Sequence, residues 1–127
     1  MLKRSCGKAA LEKATEEVED LAWNQENKNR LFNEEGLLEG LARVIKKSAK
    51  AFMKSRVCAL GTLIFMTYYC SDEQIISLYN VPGLMAAVVR ATGREGEDHK
   101  TERENALALI GSIAWADGNQ KDMFELD

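Results

Sequence analysis

Apolar residues recur along this chain in one pattern that appears three times. The copies read Ala14-x-x-x-Val18-x-x-Leu21-Ala22-Trp23, Ala59-x-x-x-Leu63-x-x-Met66-Thr67-Tyr68 and Ala106-x-x-x-Ile110-x-x-Ile113-Ala114-Trp115. They start 45 and 47 residues apart. The spacing i, i+4, i+7 within each copy is typical of one buried face of an α-helix. A helical pattern that returns with a period of roughly 40–47 residues predicts an α-solenoid.

The intervening residues predict a cycle of short, medium and long helices. Long helices are predicted at 8–24, 51–70 and 101–116, short ones at 26–33, 73–79 and 119–126, and medium ones at 37–47 and 84–91. Gly36 and the turn 80–83 separate short from medium helices, and the polar segment 93–98 is predicted as a loop. The residues predicted to face inward are Leu11, Ala14, Val18, Leu21 and Ala22 in the first long helix, and Leu37, Leu38, Leu41, Val44 and Ile45 in the first medium helix.

Composition narrows the class of protein. A chain of 127 residues with 46% apolar and 29% charged side chains suits one globular domain, and a single proline favours an all-α fold. No apolar run approaches the roughly 20 residues of a membrane span. The first residues carry charge without the apolar segment of a signal peptide. Three cysteines without a CxxC pair predict reduced thiols. We therefore expect a cytoplasmic protein, with a nuclear location also open, that is not secreted.

The order of short, medium and long helices resembles the armadillo repeat. Residues 27–45 are similar to the armadillo consensus of an Asn, a short helix, a Gly and then Leu at fixed offsets, and residues 119–124 are similar to its first part. The middle copy departs from it, with Gln74 at the Asn position and Ala91 and Thr92 where Val44 and Ile45 stand.

The resemblance covers nearly the whole chain and implies an all-α, right-handed α-α superhelix, an armadillo-like solenoid. It divides the single domain into a partial repeat (5–24), two complete repeats (25–70 and 71–116) and a second partial repeat (117–127). Each repeat of a solenoid buries its apolar face against its neighbours, so a chain that stops within a repeat leaves an end uncovered. We expect a fragment of a longer array, an end covered by self-association, or an unusually polar final helix.

Long helices line a concave groove in armadillo proteins, and the resemblance implies the same here. An aromatic ladder of Trp23, Tyr68 and Trp115 would then follow the groove, because large flat side chains with a polar atom are typical binding anchors. The alternative is that these rings fold back onto the next short helix. The residues predicted to contact a partner are Asp20, Trp23, Asn24, Phe65, Tyr68, Ser112 and Trp115.

The armadillo group importin-α binds peptides through Trp and Asn four residues apart on the groove-lining helix. The three copies hold Glu16 and Asp20, Gly61 and Phe65, and Ala108 and Ser112 at these positions. This argues against recognition of a nuclear-localisation peptide by that mechanism. The two acidic residues of the first copy leave a basic partner segment open.

Charge is spread unevenly along the chain. The net charge is −3, made of +3 in residues 1–56 and −6 in residues 57–127. A basic patch of Arg43, Lys46, Lys47, Lys50 and Lys54 is either a site for an acidic peptide or polyanion or a solvated edge. Nucleic acid is not expected as a partner, because it would need a broader basic face.

No arrangement of residues indicates catalysis. His99 is the only histidine and is expected to be exposed to solvent, without a second metal ligand at helical spacing. Gly93-x-x-Gly96 lacks the Lys-Ser/Thr of a phosphate-binding loop, and nothing resembles a nucleophile with its base. We therefore expect a protein that is not an enzyme and that uses no cofactor or metal.

The predicted function is that of a protein-interaction scaffold that holds a peptide or partner protein in its groove. One alternative is a homo-oligomer completed by self-association, with Leu109, Met123, Phe124 and Leu126 buried between copies. A further alternative is an adaptor that serves a chaperone.

Overall fold

The computed structural model describes residues 7–68 and 70–125, with side chains described as far as Ala114. It contains seven α-helices in these residues and no strand, so the all-α prediction is confirmed. The helices are α1 (Lys8–Trp23), α2 (Lys28–Asn33), α3 (Leu37–Lys46), α4 (Met53–Thr67), α5 (Asp72–Asn80), α6 (Leu84–Thr92) and α7 (Lys100–Glu125). Turns of 3₁₀ helix at Gln25–Asn27, Lys50–Phe52 and Glu97–His99 lead directly into α2, α4 and α7.

The three long helices pack side by side in chain order, with α4 between α1 and α7. The medium helices form a second row, in which α3 packs against α4 and α6, and α6 packs against α7. The short helix α2 contacts α4, and α5 contacts α6 and α7. Because helices cover α4 on several sides, ten of its fifteen residues are buried. This central helix fixes how the two rows meet.

The space between the two rows is filled by aliphatic side chains. The largest of the fully buried apolar ones are Leu11, Leu41, Ile45, Leu60, Leu63, Met66, Leu78, Leu84 and Leu109. Burial of each such side chain contributes about 1.5–3 kcal/mol, which makes this core the main source of stability. Leu109, predicted as a contact between copies, is only 1% exposed and belongs to this core instead.

The buried face of α1 differs from the prediction at three positions. Leu21, predicted to face inward, is 38% exposed, and Ala14 is only half-buried. Thr15 is fully buried in their place. Its hydroxyl donates a hydrogen bond to the carbonyl of Leu11 at 2.8 Å, so the polar atom keeps a partner inside the core. Apolar spacing alone could not find this residue, because it counts a threonine as polar.

The final helix also differs from the prediction. One continuous helix runs to Glu125, whereas the sequence predicts an end at 116 and a new short helix at 119. Asp117 and Gly118 stand at the predicted break, but a glycine inside a helix costs only about 1 kcal/mol and no proline follows it. The side chains of Met123 and Phe124, and all of Leu126, lie outside the described residues.

Two glycines connect short helices to medium helices. Gly36 precedes α3 with φ +80°, and Gly83 precedes α6 with φ +75°. Both values lie in the left-handed region, which other residues adopt only with strain. These glycines therefore allow the chain to reverse sharply and start the second row of helices.

Replacement of Gly36 by alanine tests this role. The added Cβ would meet nothing within 4 Å, so the substitution changes only the backbone strain. We expect Gly36→Ala to lower the free energy of unfolding by about 1 kcal/mol in urea denaturation. Gly111→Ala is the matched control, since it also adds a methyl group into open space but sits within α7. It should stabilise the fold by up to about 1 kcal/mol. Equal effects of the two variants would contradict the conclusion that position 36 needs a glycine for its left-handed backbone conformation.

A buried ion pair joins α4 to α7. Nε of Arg56 donates to Oε2 of Glu102 at 2.8 Å, and Nη2 donates to Oε1 at 3.2 Å. Neither side chain is exposed to solvent at all. The remaining guanidinium nitrogen donates to the carbonyls of Lys47 and Ala49, both at 2.7 Å. The arginine therefore ties the α3–α4 connection to both long helices.

The same carboxylate also organises the loop before α7. Nε of Arg94 lies 2.8 Å from Oε2 of Glu102, as an ion pair whose N–H is not aligned for a hydrogen bond. Nδ1 of His99 lies 3.1 Å from Oε1 of the same side chain. His99 is therefore not the solvent-exposed residue that the sequence predicts, since its side chain is only 17% exposed. Its orientation is set by Glu102.

Removal of Glu102 should damage the fold severely. We expect Glu102→Ala to lower the free energy of unfolding by about 3–5 kcal/mol, because Arg56 would remain buried without its anion. Chemical denaturation followed by far-UV circular dichroism measures this change. Lys50→Ala is the control: it breaks the Lys50–Asp98 ion pair, which joins nearly the same segments but is exposed, and should have little effect. Similar losses in both variants would refute a special role for the buried pair.

Candidate partner-binding surface

The exposed stripes of α1, α4 and α7 adjoin to form one surface, which we call the long-helix face. Nζ of Lys54 on α4 lies 2.9 Å from Oε1 of Glu16 on α1, which joins the first two stripes. Nδ2 of Asn105 on α7 donates to the carbonyl of Val57 on α4 at 3.3 Å, which joins the second to the third. Helical geometry places residues four and seven apart on one side. The face contains Glu16, Asp20, Trp23, Lys54, Phe65, Tyr68, Ala108 and Ser112.

Two of the three predicted ladder aromatics are exposed on this face. Trp23 is 72% exposed and Tyr68 is 43% exposed, so neither ring is folded away under the following short helix. Phe65 is partly buried and meets Tyr68 edge to face, with ring centroids 6.2 Å apart and planes at 72°. This geometry is favourable for an aromatic pair. The side chain of Trp115 lies outside the described residues.

Side chains that follow α1 hold the end of α4 that carries these aromatics. Nε2 of Gln25 donates to the carbonyl of Phe65 at 3.3 Å, and Nζ of Lys28 donates to the carbonyl of Tyr68 at 2.9 Å. The last carbonyls of a helix lack the usual partners within it, so the bond to Tyr68 satisfies such a group, and the bond to Phe65 adds to the one that its carbonyl accepts from the backbone N–H of Tyr68. They also fix where the aromatic pair lies relative to α1.

The polar residues predicted for partner contact differ in how exposed they are and in whether they already have a hydrogen-bond partner. Asp20 is exposed, and no cation in the described part of the chain lies within ion-pair distance of it. Oδ1 of Asn24 accepts a hydrogen bond from the backbone N–H of Glu26 at 3.0 Å, so this side chain caps the turn that leads into α2. Ser112 is half-buried on α7. Asp20 is therefore the most accessible of the three.

The α1 side of the long-helix face is acidic. Five carboxylates occupy α1 between positions 12 and 20, namely Glu12, Glu16, Glu17, Glu19 and Asp20. Burial raises the pKa of Glu19, and the neighbouring charges of Asp20 and Glu16 raise it further. A hydrogen bond from Cys58 acts in the opposite direction and lowers this pKa. The hydrogen bond to Glu16 and the charges of Glu16 and Glu12 raise the pKa of Lys54. These five carboxylates thus outnumber the two nearby lysines, Lys13 on α1 and Lys54 on α4.

Glu19 fills a gap in the seam between α1 and α4. Its carboxylate lies over Gly61, where a Cβ on α4 would collide with Oε2. Burial, together with the negative charge of Glu19, raises the pKa of Cys58 to about 12 and keeps the thiol protonated. The sequence prediction placed Gly61 in the groove, whereas the structure buries it under this carboxylate. A glycine within a long apolar helix, opposite an acidic helix, was the available signal.

The predicted basic patch does not form one surface. Lys54 pairs with Glu16 toward α1, whereas Lys50 pairs with Asp98 at 2.6 Å in the loop before α7. Nζ of Lys46 donates to the carbonyl of Pro82 at 3.0 Å, and Nζ of Lys47 lies 4.9 Å from the centre of the Phe52 ring. Arg43 lies half-buried on α3. The four lysines therefore turn toward different neighbours.

A cleft of about 300 Å³ lies beside α1, α2 and α3. The sequence did not predict this cleft, because Leu21, which lines it, was expected inside the core. The cleft mixes aliphatic side chains with both signs of charge. It is lined by Leu21, Asn27, Arg30, Leu31, Glu34, Glu35, Gly36, Leu37 and Arg43.

The described residues contain neither a cluster of metal ligands nor a single membrane-spanning helix. No group of three or more His, Cys, Asp or Glu side chains in them could hold a metal ion. No single helix among them is long and apolar enough to cross a membrane, although the pair α5 and α6, bent by 80°, passes the same test by length and composition.

Comparison of the chain with protein-family models, with curated proteins and with solved structures finds no match.

The raised pKa of Glu19 predicts how a neutral replacement affects stability. The folded state disfavours the ionised form of Glu19, so ionisation lowers the free energy of unfolding. This loss begins as pH rises through the ordinary pKa of 4.5 and is complete above the raised pKa. We expect Glu19→Gln to raise the melting temperature at neutral pH, and the gain to vanish well below pH 4.5. Glu17→Gln, on the exposed side of α1, is the control and should show no such gain. A gain independent of pH would contradict this account.

Proposed function

We propose that this chain is a protein-interaction scaffold without enzymatic activity, folded as an armadillo-like, right-handed α-solenoid. It binds a segment of a partner protein along the long-helix face, which would be the concave side of the superhelix. The packing of α1, α4 and α7 in chain order supports this proposal, as does the second row formed by α3 and α6. Rigid stacked helices offer a preorganised surface, so little entropy is lost on the scaffold side when a partner binds.

One observation carries the proposal: a 72% exposed tryptophan stands on the long-helix face beside an exposed carboxylate and an aromatic pair. Large exposed aromatics are costly to hydrate and are enriched where binding energy is concentrated. Trp23 and Asp20 lie three residues apart on α1 and therefore point to the same side. Phe65 and Tyr68 supply the matching apolar surface on α4.

The chemistry of this face favours a partner segment with both basic and apolar side chains. Lysine or arginine residues of the partner would meet Asp20 and Glu16, and apolar residues would pack on the rings of Trp23 and Tyr68. A cation near Glu19 would also favour its ionised form, and so oppose the burial and the neighbouring negative charges that raise its pKa. Charge complementarity of this kind gives specificity and rapid association more than affinity.

The free thiols agree with a reducing compartment such as the cytoplasm. Cys58 and Cys70 are both unpaired and buried. The high pKa of Cys58 keeps it out of thiol chemistry, because the thiolate is the reactive form. We therefore assign these two residues to packing within the scaffold.

Selection from a displayed library of random peptides on the immobilised protein tests the proposal. We expect the recovered peptides to combine Lys or Arg with large apolar residues, and to bind in the micromolar range that is common for short segments. Trp23→Ala should weaken their binding at least tenfold, because it removes the most exposed anchor. In a Trp115→Phe background, the emission of Trp23 should shift to the blue when peptide binds.

Asp20→Lys should also weaken binding, whereas Glu95→Lys should not. Both variants change the net charge equally, but Glu95 lies in the exposed loop before α7, away from Asp20 on α1. The pair separates a specific contact from general attraction to an acidic protein. If the recovered peptides bind both variants and Trp23→Ala as well as the natural chain, the long-helix face is not the binding surface.

A further inference from the structure

Arg56 uses two separate edges of its guanidinium group. Nη1 donates to the carbonyls of Lys47 and Ala49, which lie nine and seven residues earlier, at 2.7 Å each. The edge formed by Nε and Nη2 donates to the two carboxylate oxygens of Glu102, at 2.8 and 3.2 Å. One edge therefore fixes the connection before α4, and the other receives the helix that packs on α4.

Arg103 repeats the first half of this arrangement on α7. It stands 47 residues after Arg56, one period of the repeat. Its Nη1 donates to the carbonyls of Arg94 and Gly96, again nine and seven residues earlier, at 2.8 and 2.6 Å. The guanidinium is thus anchored to the connection before α7. Because this group is planar and rigid, the direction of its edge of Nε and Nη2 is fixed as well.

That edge of Arg103 has no acceptor in the described part of the chain. The hydrogen bonds of the side chain come from Nη1 alone, and none of the ion pairs among the described residues includes it. Glu104, the next residue, points about 100° to one side on the helix. Arg103 is half-buried. An edge of this kind, with two parallel N–H groups, matches a carboxylate.

The apolar residues after the two arginines also correspond. Leu60 stands four residues after Arg56, and Leu107 stands four residues after Arg103, so each leucine shares a side of its helix with the arginine. A further aliphatic residue follows three positions later in both helices. Leu60 is 0% exposed and Leu107 is 59% exposed. The side of α4 that receives α7 is therefore present again on α7, where no helix of the described residues covers it.

Charged residues border this side of α7. Glu104 stands where α4 has Val57, and Lys100 stands where α4 has Met53. Both residues of α4 are only half-buried, so these positions lie at the margin of the contact between helices. Charges at the rim of an interface keep their water. A helix bound here would therefore meet apolar surface at Leu107 and polar surface around it.

A second copy of this chain does not provide a suitable carboxylate for Arg103. Its own Glu102 is fully buried and bound to Arg56. Its first long helix, α1, has Ala10 at the position that corresponds to Glu102, one step of 47 and one of 45 residues earlier. Lys13 follows on the exposed side of α1 and would repel another cation. The matching helix is expected in a different protein.

We propose that Arg103 is the docking point for a helix of a partner protein that presents a glutamate. The glutamate carboxylate accepts hydrogen bonds from Nε and Nη2, as Glu102 does from Arg56. The following turns of the partner helix cover Leu107. The expected pattern is that of α7 itself, in which buried Ala106 and Leu109 follow the glutamate by four and seven residues. This site is separate from the long-helix face.

A synthetic helix with the sequence of residues 99–114 is the probe, because this segment already presents a glutamate in the expected pattern. A hydrocarbon link on its outer side keeps it helical, and alanine replaces its own Arg103 so that probe molecules do not bind one another. Fluorescence anisotropy of the labelled probe measures its affinity for the natural chain. We expect micromolar binding. The same probe with Glu102→Gln should bind about tenfold more weakly, because the charged hydrogen bonds are lost.

Variants of the protein locate the contact. Arg103→Gln should bind both probes equally, because the group that distinguishes them is gone. Arg30→Gln is the matched control: it removes the same charge from an exposed position of α2 and should keep the tenfold difference. Leu107→Glu should weaken both probes. Trp23→Ala should change neither, so this site and the long-helix face can fail independently.

Circular dichroism checks that each variant is folded. If Arg103→Gln does not fold, Arg103→Lys takes its place, since it keeps the charge but cannot form two parallel hydrogen bonds, and it should reduce the difference between the probes.

Four results would overturn the proposal. The first is no binding up to millimolar probe, and the second is equal binding of the two probes to the natural chain. The third is a tenfold difference that survives in folded Arg103→Gln, which would mean that the probe displaces α7 from Arg56. The fourth is self-association of the natural chain that Arg103→Gln abolishes, since this would assign the site to a second copy.

Discussion

The buried pair of Arg56 and Glu102 is the constraint on which the arrangement of the long helices depends. Its two hydrogen bonds cross from α4 to α7, and the same guanidinium holds the backbone that connects α3 to α4. Two fully desolvated charges tolerate little displacement, because each would lose its compensation. Aliphatic packing supplies more stability, but it is not directional. The ion pair therefore sets the register in which the helices stack.

That register contributes to the long-helix face, to which we assign binding. It places the stripe of α7 next to that of α4, while the Lys54–Glu16 contact joins α4 to the stripe of α1 that carries Trp23 and Asp20. It also turns Leu107 away from α4. Leu60 on α4 is fully buried, whereas Leu107, which stands 47 positions later on α7, is 59% exposed.

The helices and much of the core were predictable from the sequence, because both depend on local spacing. Six of the eight predicted helices lie close to observed ones, and the reversal at Gly36 was predicted as well, whereas the last two predicted helices are one continuous helix. The misses have specific causes. Thr15 is buried because its hydroxyl bonds to the helix backbone, and Leu21 is exposed because the buried stripe of α1 lies to one side of the one predicted. The final helix continues past Gly118 because a single glycine is too weak a helix breaker.

The candidate surface was predictable only in part. The aromatic positions Trp23 and Tyr68 followed from the repeat, but their exposure did not, because a ring at the end of a helix has two directions available. The role of Glu19 over Gly61 was also out of reach, since it depends on which residues of two helices meet across the seam.

The sequence by itself therefore determined the helical content, the repeat period and most of the residues that face the core, because hydrophobic periodicity and turn chemistry act over a few neighbouring residues. Only the tertiary structure decided the rest. It paired Arg56 with Glu102 across 46 positions, placed His99 beside them and left Leu107 uncovered. These outcomes depend on the packing of distant helices, where a charge is stable only if a partner is supplied from elsewhere in the chain.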